Sequence, residues 1–158
     1  SASDKAAVDY FVKYAGCDNK GNQLPGSPMK GGVVIFAAGN EGIPNGAPAE
    51  YDGVIAVGAV TPAGDRASFS NYGPWVDICA PGTSILSTIP GNQYDYSQGT
   101  SMACPHISAI IAILKSAEPN RSYTPAEIEL ILTDYCIDMG NEQYYGEGIP
   151  LASLFAGK

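Results

Sequence analysis

The chain is poor in basic residues, and this scarcity excludes several classes of partner. Of its 158 residues, 8 are Lys or Arg and 16 are Asp or Glu, so the formal net charge is −8. A nucleic-acid partner requires a basic face, and so does an amphipathic helix that binds an anionic membrane surface. No apolar run is long enough to predict a membrane span. We therefore expect neither nucleic acid nor membrane among the partners.

Cysteine is also scarce, and its four residues follow no metal-binding pattern. Cys17, Cys79, Cys104 and Cys136 are widely spaced, unlike the paired cysteines of zinc sites. Cys79 and Cys104 lie in apolar runs, where a free thiol behaves as a small hydrophobic side chain. We predict free thiols at these two positions. The even count leaves two disulfides open, so cysteine usage does not fix the cellular compartment.

What the sequence does contain is a globular composition with buried-strand patterns. Hydrophobic residues make up 45% of the chain, which suits one compact domain with a core. Continuous apolar runs at 33–40, 54–60 and around 76–82 are typical of parallel strands covered on both faces. Two half-apolar arms around 90–92 predict a hairpin. With the intervening helices, these strands favour an α/β fold, a three-layer sandwich with a mostly parallel sheet.

Apolar spacing and capping signals predict four helices. Ser3 is the expected cap of the first helix, which Gly16 ends. A helix over 101–117 is apolar on nearly every face, which places it in the centre of the domain. The stretch 124–127 (TPAE) carries a capping box for the next helix. The stretch 149–157 predicts a short terminal helix.

Ser101, in the stretch GTSMACPH, stands between a glycine turn and the apolar helix. A serine hydroxyl becomes a nucleophile when a base lies within hydrogen-bond reach. The free N–H groups of a helix N-terminus favour the negative charge that then develops. Serine is also a preferred helix cap, and on the letters GTS alone the capping interpretation is favoured.

His106 is the only histidine, but helix geometry argues against it as the base for Ser101. Five residues along a helix correspond to about 7.5 Å of rise and a net rotation of about 140°, so the two side chains point to different faces. A histidine hydrogen-bonded in the core is the favoured interpretation. The chain by itself therefore carries no base for Ser101.

Chain order narrows the types of serine hydrolase that remain. The α/β-hydrolases run serine, acid, histidine, and they place the serine in a G-x-S-x-G turn. No histidine lies far enough downstream of Ser101, and Ala103 stands where the second glycine is required. The remaining orders put the serine last, with the acid and the histidine upstream.

Asn40 follows the first buried run, in the stretch AAGNEG. Its side-chain N–H could stabilise an oxyanion together with the backbone N–H of Ser101. A turn asparagine that tolerates an unusual backbone angle is an equally good interpretation of this stretch alone. Both residues are expected at the edge of the sheet where the strands end.

Several motifs, taken in order, resemble the subtilase family of subtilisin-like serine peptidases. GTSMACPH resembles the nucleophile signature of that family, and VVIFAAGNEG resembles its oxyanion segment. YDGVIAVGAV, RASFSNYGPWVDICAPG and SILSTIPG lie between them in the family order, and YYGEGIPLASLF resembles the family's C-terminal ending. Only 18–32 looks like an insertion. The resemblance implies a serine endopeptidase that acts through an acyl-enzyme, with Ser101 as nucleophile and Asn40 as oxyanion donor.

The same resemblance implies that part of the catalytic machinery lies outside this chain. Subtilases run Asp, His, Ser, so the chain is expected to be one partial domain, 1–158, the C-terminal portion of a catalytic domain. Its expected partners are a polypeptide substrate and the upstream part of the same domain or another copy of the chain. The backbone of Ala37, Ala38 and Gly39 would form one wall of the substrate pocket, and Gly46 would lie near its floor.

Other implications of the resemblance are weaker. No cofactor is required, and a structural cation such as calcium is left open near Asp77 and the backbone of Tyr51. Trp75 stands close to where relatives often have an acid that helps bind a cation, which weakens that expectation. Glu41 at the pocket rim would mildly favour basic substrate residues. The expected location is secreted or cell-surface, although the N-terminal segment lacks the basic start and apolar region of a signal peptide.

Two non-enzymatic alternatives remain open at this point. The first is a catalytically dead subtilase-like module that binds peptides or partners after its upstream triad residues were replaced. The second is a structural fragment that folds and associates but never meets a substrate. An upstream Asp-x-Gly and a His-Gly pair would favour the enzyme.

Overall fold

The computed structural model describes residues 1–155, which form a parallel sheet with helices packed against it. The helices are α1 (Ala2–Tyr14), α2 (Thr100–Ala117), α3 (Pro125–Asp134), α4 (Glu142–Tyr145) and α5 (Ala152–Phe155). The strands are β1 (Ile35–Ala37), β2 (Ile55–Val60), β3 (Ile78–Pro81), β4 (Ile85–Ile89), β5 (Gln93–Ser97), β6 (Cys136–Ile137) and β7 (Ile149–Pro150). The predicted α/β class with a mostly parallel sheet is confirmed.

Three strands build the parallel sheet, in the order β1-β2-β3. Strand β2 is buried along its whole length, and successive side chains face opposite sides of the sheet. Ile55, Val57 and Ala59 join a core cluster that also contains buried residues of α2 and α3. Val60 belongs to a smaller cluster with Cys79 of β3. The sheet thereby has apolar packing on both faces.

The two remaining strand pairs are antiparallel. Strands β4 and β5 form the predicted hairpin, with residues 90–92 at its turn. Strands β6 and β7 form a second, two-residue pair. The hairpin matters for the site because β5 ends at Ser97, just before α2 begins.

Strand β1 is shorter and less buried than its sequence predicted. The apolar run at 33–40 predicted a strand covered on both faces, but the strand spans only 35–37 and all three residues are half-buried. Within residues 1–155, β1 pairs with β2 alone and is therefore the edge of the sheet. An edge position explains the partial exposure of side chains that have the composition of a central strand.

Helix α2 packs across the sheet but is not surrounded. Ala103, Ile107 and Leu114 are buried against the strands, whereas Ala109 and Ile113 are exposed. The prediction of a helix enclosed on all sides is therefore wrong for the described part of the chain. By length and composition alone α2 could cross a membrane, contrary to the sequence expectation. In this structure the buried apolar residues of α2 pack against the parallel sheet.

Local signals in the sequence identified some helix ends correctly and missed others. Thr124 caps α3 with the predicted capping box, in which its hydroxyl accepts from the N–H of Glu127. The cap of α1 is Ser1 rather than Ser3, because it is the Ser1 hydroxyl that accepts from the N–H of Asp4. Part of the predicted terminal helix forms α5, and residues 156–157 lie outside the described residues. All four cysteines are free thiols.

Candidate active site

The structure brings Asn40 and the start of α2 together at the edge where the parallel strands end. Asn40 lies three residues beyond the end of β1, and Ser101 is the second residue of α2. Thr100 connects the two segments. The side-chain oxygen Oδ1 of Asn40 accepts a hydrogen bond from the backbone N–H of Thr100 at 2.8 Å and one from its hydroxyl at 2.9 Å.

The Thr100 hydroxyl is buried and also holds the neighbouring backbone. It accepts a hydrogen bond from the N–H of Gly39 at 3.2 Å, and Thr100 is fully buried. One side chain thus fixes both the backbone before Asn40 and the amide of Asn40 itself. Such a fully satisfied buried network is rigid.

These contacts determine which polar groups remain available. Because Oδ1 of Asn40 is engaged, the nitrogen Nδ2 is left free, with no acceptor among residues 1–155. The helix cap is Gly99, which makes no side-chain capping bond, so Ser101 is not the cap. Both Asn40 and Ser101 are exposed, and the Ser101 hydroxyl has no partner in that same range.

The backbone N–H of Ser101 is the second available donor. It lies in the first turn of α2, where N–H groups have no acceptor inside the helix, and no other described group accepts from it. Two N–H donors of this kind, at a helix N-terminus, suit an oxygen that carries negative charge. An exposed hydroxyl and two candidate anion donors therefore lie at one place on the surface.

His106 does not act on Ser101 in this structure. Its ring nitrogen Nδ1 lies 2.8 Å from the carbonyl oxygen of Met102, one turn earlier in α2. The residue is half-buried at the rim of an apolar groove that Pro81 and Ile113 also line. This contact agrees with the prediction that His106 points to a different face of α2 from Ser101. The prediction that His106 lies in the core is wrong, because the residue is half-buried.

The four residues expected around the pocket are placed as follows. Ala37 is half-buried at the end of β1, and the N–H of Ala38 donates to the carbonyl of Val57 at 3.0 Å. Gly39 is the next residue along the chain and directly precedes Asn40. Gly46 is buried against the indole of Trp75, since a Cβ placed on it would lie 2.0 Å from the ring.

Sequence reasoning missed two residues that shape the site, Thr100 and Asn71. The sequence analysis assigned no role to Thr100, and nothing in the sequence connects Asn71 with the loop at Glu41, 30 residues earlier. Both are buried polar residues that bond to the loop around Asn40, and these contacts become visible only in the fold. Oε2 of Glu41, the residue expected at the pocket rim, accepts from the N–H of Asn40 and from Nδ2 of Asn71.

A sequence model described as the Subtilase family matches residues 2–148. The chain belongs to the subtilase family. Its similarity to individual subtilases is also high. It is 55% identical over 92 residues to the "Thermophilic serine proteinase" of Bacillus sp. (strain AK1), covering 58% of this chain and 23% of that protein. It is 44% identical over 122 residues to "Subtilisin NAT" of Bacillus subtilis subsp. natto, covering 74% and 32% respectively.

The solved structures agree on the fold. The crystal structure of a lanthipeptide protease superposes with a TM-score of 0.73 and 21% identity, covering 79% of this chain and 51% of that one. At this identity the likeness supports the fold alone. The chain spans about a third or less of the length of the two curated subtilases described above.

The Asp77 carboxylate, near which the resemblance leaves a structural cation open, takes part in a hydrogen bond within the fold. Among the described residues no group of three or more His, Cys, Asp or Glu side chains could hold a metal ion. Oδ2 of Asp77 accepts from the N–H of Ala56 at 2.6 Å. Burial raises the pKa of this carboxyl to about 6, against the lowering effect of that bond and with a smaller contribution from Glu129. Calcium binding near Asp77 stays a prediction.

A separate cavity of about 500 Å³ lies between α1 and the loop that follows Gly46. Phe36, Pro48 and Tyr51 contribute to its lining, but neither Asn40 nor Ser101 does. It is therefore not part of the candidate active site of this subtilase.

Proposed function

We propose that this subtilase chain supplies the nucleophile and the oxyanion donors of a serine endopeptidase. The observation that carries the proposal is the pair of hydrogen bonds from Thr100 to Oδ1 of Asn40. With its oxygen engaged, Asn40 has only its N–H groups to offer, beside the helix turn that bears Ser101.

In the proposed mechanism the Ser101 hydroxyl oxygen attacks the carbonyl carbon of a peptide bond. Its proton passes to a histidine that an upstream segment supplies and that an aspartate orients. Asn40 Nδ2 and the Ser101 N–H hold the oxyanion. The tetrahedral intermediate then expels the amine, which takes the proton from the histidine and leaves an acyl ester on Ser101. Water, deprotonated by the same histidine, hydrolyses the ester and regenerates the serine.

The substrate in this proposal is a polypeptide. The backbone of Ala37, Ala38 and Gly39 forms one wall of the pocket for the residue before the cleaved bond, and Gly46 lies near the floor, backed by Trp75. The upstream segment supplies the opposite wall. This part of the proposal rests on the family resemblance, and for Ala37, Ala38 and Gly39 also on their place in the chain directly before Asn40.

The proposed partner is the upstream part of the same catalytic domain or another copy of the chain. In its support, β1 is a half-buried edge strand, and α2 leaves Ala109 and Ile113 exposed. An unpaired strand edge and an apolar helix face are surfaces that proteins usually cover. We place the active protein outside the cell or at its surface, as the family resemblance implies, and cell fractionation would test this location.

Labelling with a fluorophosphonate, which reacts with activated serines, tests the proposed function. The full-length protein should label at Ser101, and Ser101→Ala should abolish both labelling and peptide hydrolysis. Ser108→Ala changes an exposed serine of the same helix and should retain both. Unchanged hydrolysis in Ser101→Ala would refute the assignment. A wild-type protein that binds peptides without labelling would favour the catalytically dead module.

A further inference from the structure

Asn71 is a buried polar residue whose hydrogen bonds surround Asn40. Asn71 is 2% exposed. Its side-chain oxygen Oδ1 accepts from the N–H of Glu41 at 3.0 Å and from the N–H of Ile43 at 3.1 Å. Its backbone N–H donates to the carbonyl of Gly39 at 3.0 Å. The loop is therefore bonded to Asn71 on both sides of the candidate oxyanion donor.

The Glu41 carboxylate extends this network to Asn40 itself. Oδ1 of Asn71 is used by the backbone, and its Nδ2 donates to Oε2 of Glu41 at 2.7 Å. The same carboxylate oxygen accepts from the backbone N–H of Asn40 at 3.0 Å. Hydrogen bonds to a charged acceptor are stronger than those between neutral groups. Asn71 thus fixes the carboxylate that holds the Asn40 backbone.

The packing at Gly39 shows how closely Asn71 approaches this loop. A Cβ on Gly39 would lie 2.3 Å from Nδ2 of Asn71 and 2.9 Å from Oε2 of Glu41. Gly39 also has a φ of +106°, which side-chain-bearing residues rarely adopt. Only glycine at this position allows the amide and the carboxylate to meet against the backbone.

We propose that Asn71 is a positioning residue that sets the orientation of Asn40 through the Glu41 carboxylate. Thr100 holds the Asn40 side chain, and Asn71 holds its backbone. The inference rests on the proposed function, because it assigns Asn71 a role in fixing the oxyanion donor.

Asn71→Asp is the decisive substitution because it keeps the shape and changes one polar contact. The introduced carboxylate can still accept from both backbone N–H groups through one oxygen. Its other oxygen would face Oε2 of Glu41, and two carboxylate oxygens at hydrogen-bond distance repel unless they share a proton. We expect Glu41 to turn away and leave the N–H of Asn40 without its acceptor.

The first measurement is steady-state peptide hydrolysis by the full-length protein. Loss of a whole oxyanion donor lowers kcat by about 10²–10³-fold, a range established on a subtilisin, itself a member of this family. For a displaced donor we expect Asn71→Asp to lower kcat by roughly tenfold or more, with KM within about twofold, since an interaction of the transition state is weakened. Undiminished kcat in Asn71→Asp would overturn the inference.

A rescue separates positioning from a general loss of stability. In the double variant Asn71→Asp/Glu41→Gln, the glutamine amide can rotate so that Nε2 donates to the introduced carboxylate and Oε1 accepts from the N–H of Asn40, two atoms in place of the single oxygen Oε2 of the wild type. We expect kcat to return to within about threefold of the wild type. A folded double variant with no recovery would overturn the proposal.

A second variant covers the case in which Asn71→Asp fails to fold. Glu41 is exposed, so Glu41→Ala removes the acceptor of Asn40 without opening the core. It should also lower kcat more than KM changes. The matched control Glu50→Ala removes one exposed carboxylate elsewhere and should leave both constants unchanged. Equal kcat values in Glu41→Ala and Glu50→Ala would count against the inference.

Nuclear magnetic resonance keeps the inference distinguishable from the proposed function. The backbone ¹⁵N–¹H signal of Asn40 should shift upfield in both Glu41→Ala and Asn71→Asp, because its charged acceptor is lost. If the wild type hydrolyses no peptide, the proposed function fails, and this signal still decides whether Asn71 positions Asn40. An unmoved signal in both variants refutes the positioning role.

Discussion

The side-chain oxygen of Asn40 accepts both hydrogen-bond donors of Thr100, at 2.8 and 2.9 Å. The two residues are 60 positions apart in the chain, so this pair of bonds is a tertiary contact rather than a local turn. It joins the loop after the first strand to the first residue of α2. The relative positions of the candidate oxyanion donor and the candidate nucleophile depend on it.

Thr100→Val tests that contact directly. Valine keeps the shape and the backbone N–H but loses the hydroxyl, so the N–H of half-buried Gly39 loses its acceptor. Because Gly39 is only half-buried, we expect a loss of about 1 kcal/mol in the free energy of unfolding, at the low end of the cost of an unsatisfied donor, measured by urea denaturation. Peptide hydrolysis should fall as well. The same change at exposed Thr88 is the control, and equal losses at both positions would contradict the prediction.

Asp77→Asn should stabilise the protein at alkaline pH but not at acid pH. Burial raises the pKa of Asp77 to about 6, from an ordinary value of 3.8, so the folded state retains the proton longer than the unfolded state does. Stability is therefore lost as the pH rises from about 4 through 6. Asparagine can still accept from the N–H of Ala56 and carries no charge to bury.

Melting temperatures at pH 3.5 and pH 8 measure this effect. The gain from Asp77→Asn should be present at pH 8 and absent at pH 3.5. Asp65→Asn removes one negative charge from an exposed position and controls for net charge. An equal gain at both pH values, or a loss at pH 8, is the contrary result.

Gly46→Ala should destabilise the protein through Trp75. The added methyl group would lie 2.0 Å from the indole ring, so the ring must move. Overpacking of this kind costs about 1–3 kcal/mol. Trp75 is the only tryptophan, so its fluorescence reports the displacement directly. The double variant with Trp75→Leu should recover part of the stability, and a single variant with unchanged emission and stability would disprove the contact.

Cys79, which is buried, and Cys136, which is half-buried, should resist modification in the folded protein. Burial raises the pKa of Cys79 to about 12 and that of Cys136 to about 11, and only the thiolate reacts appreciably. Ellman's reagent at pH 8 should therefore label both slowly in the native state and rapidly in urea. Cys79, which is fully buried, should be the slower of the two. Rapid native labelling of Cys79, identified by peptide mapping, would be inconsistent with its position.

The sequence predicted best those features that depend on neighbouring residues. The capping box at Thr124 and Glu127 needs only three residues of chain, and it formed as predicted. The burial of β1 depends on which strand lies beside it, and composition alone cannot tell an edge from a centre. For the same reason α2 was predicted to be enclosed, although one of its sides is exposed.

In the candidate site, too, the sequence indicated the residues that stand in local motifs and missed those that act through distant contacts. Ser101 and Asn40 stand in motifs that several residues on either side support. Thr100 and Asn71 act through contacts that span 60 and 30 residues, and a single sequence carries no sign of them. The predicted separation of His106 from Ser101 agrees with its contact to Met102 because helix geometry is local, but its half-buried position depends on what surrounds α2.

Gly82 connects the base of the β4–β5 hairpin to the sheet and to the residue that caps α2. Its N–H donates to the carbonyl of Val60 at 3.0 Å, and its own carbonyl accepts from the N–H of Gly99 at 2.8 Å. The two ends of the β4–β5 hairpin are thus joined by the hydrogen bond between Gly99 and Gly82. Lengthening or shortening the tip of the hairpin need not move Thr100, because this bond at its base, and not the tip, holds the start of α2. The tip is therefore a natural position for grafting a recognition peptide while the nucleophile stays in place.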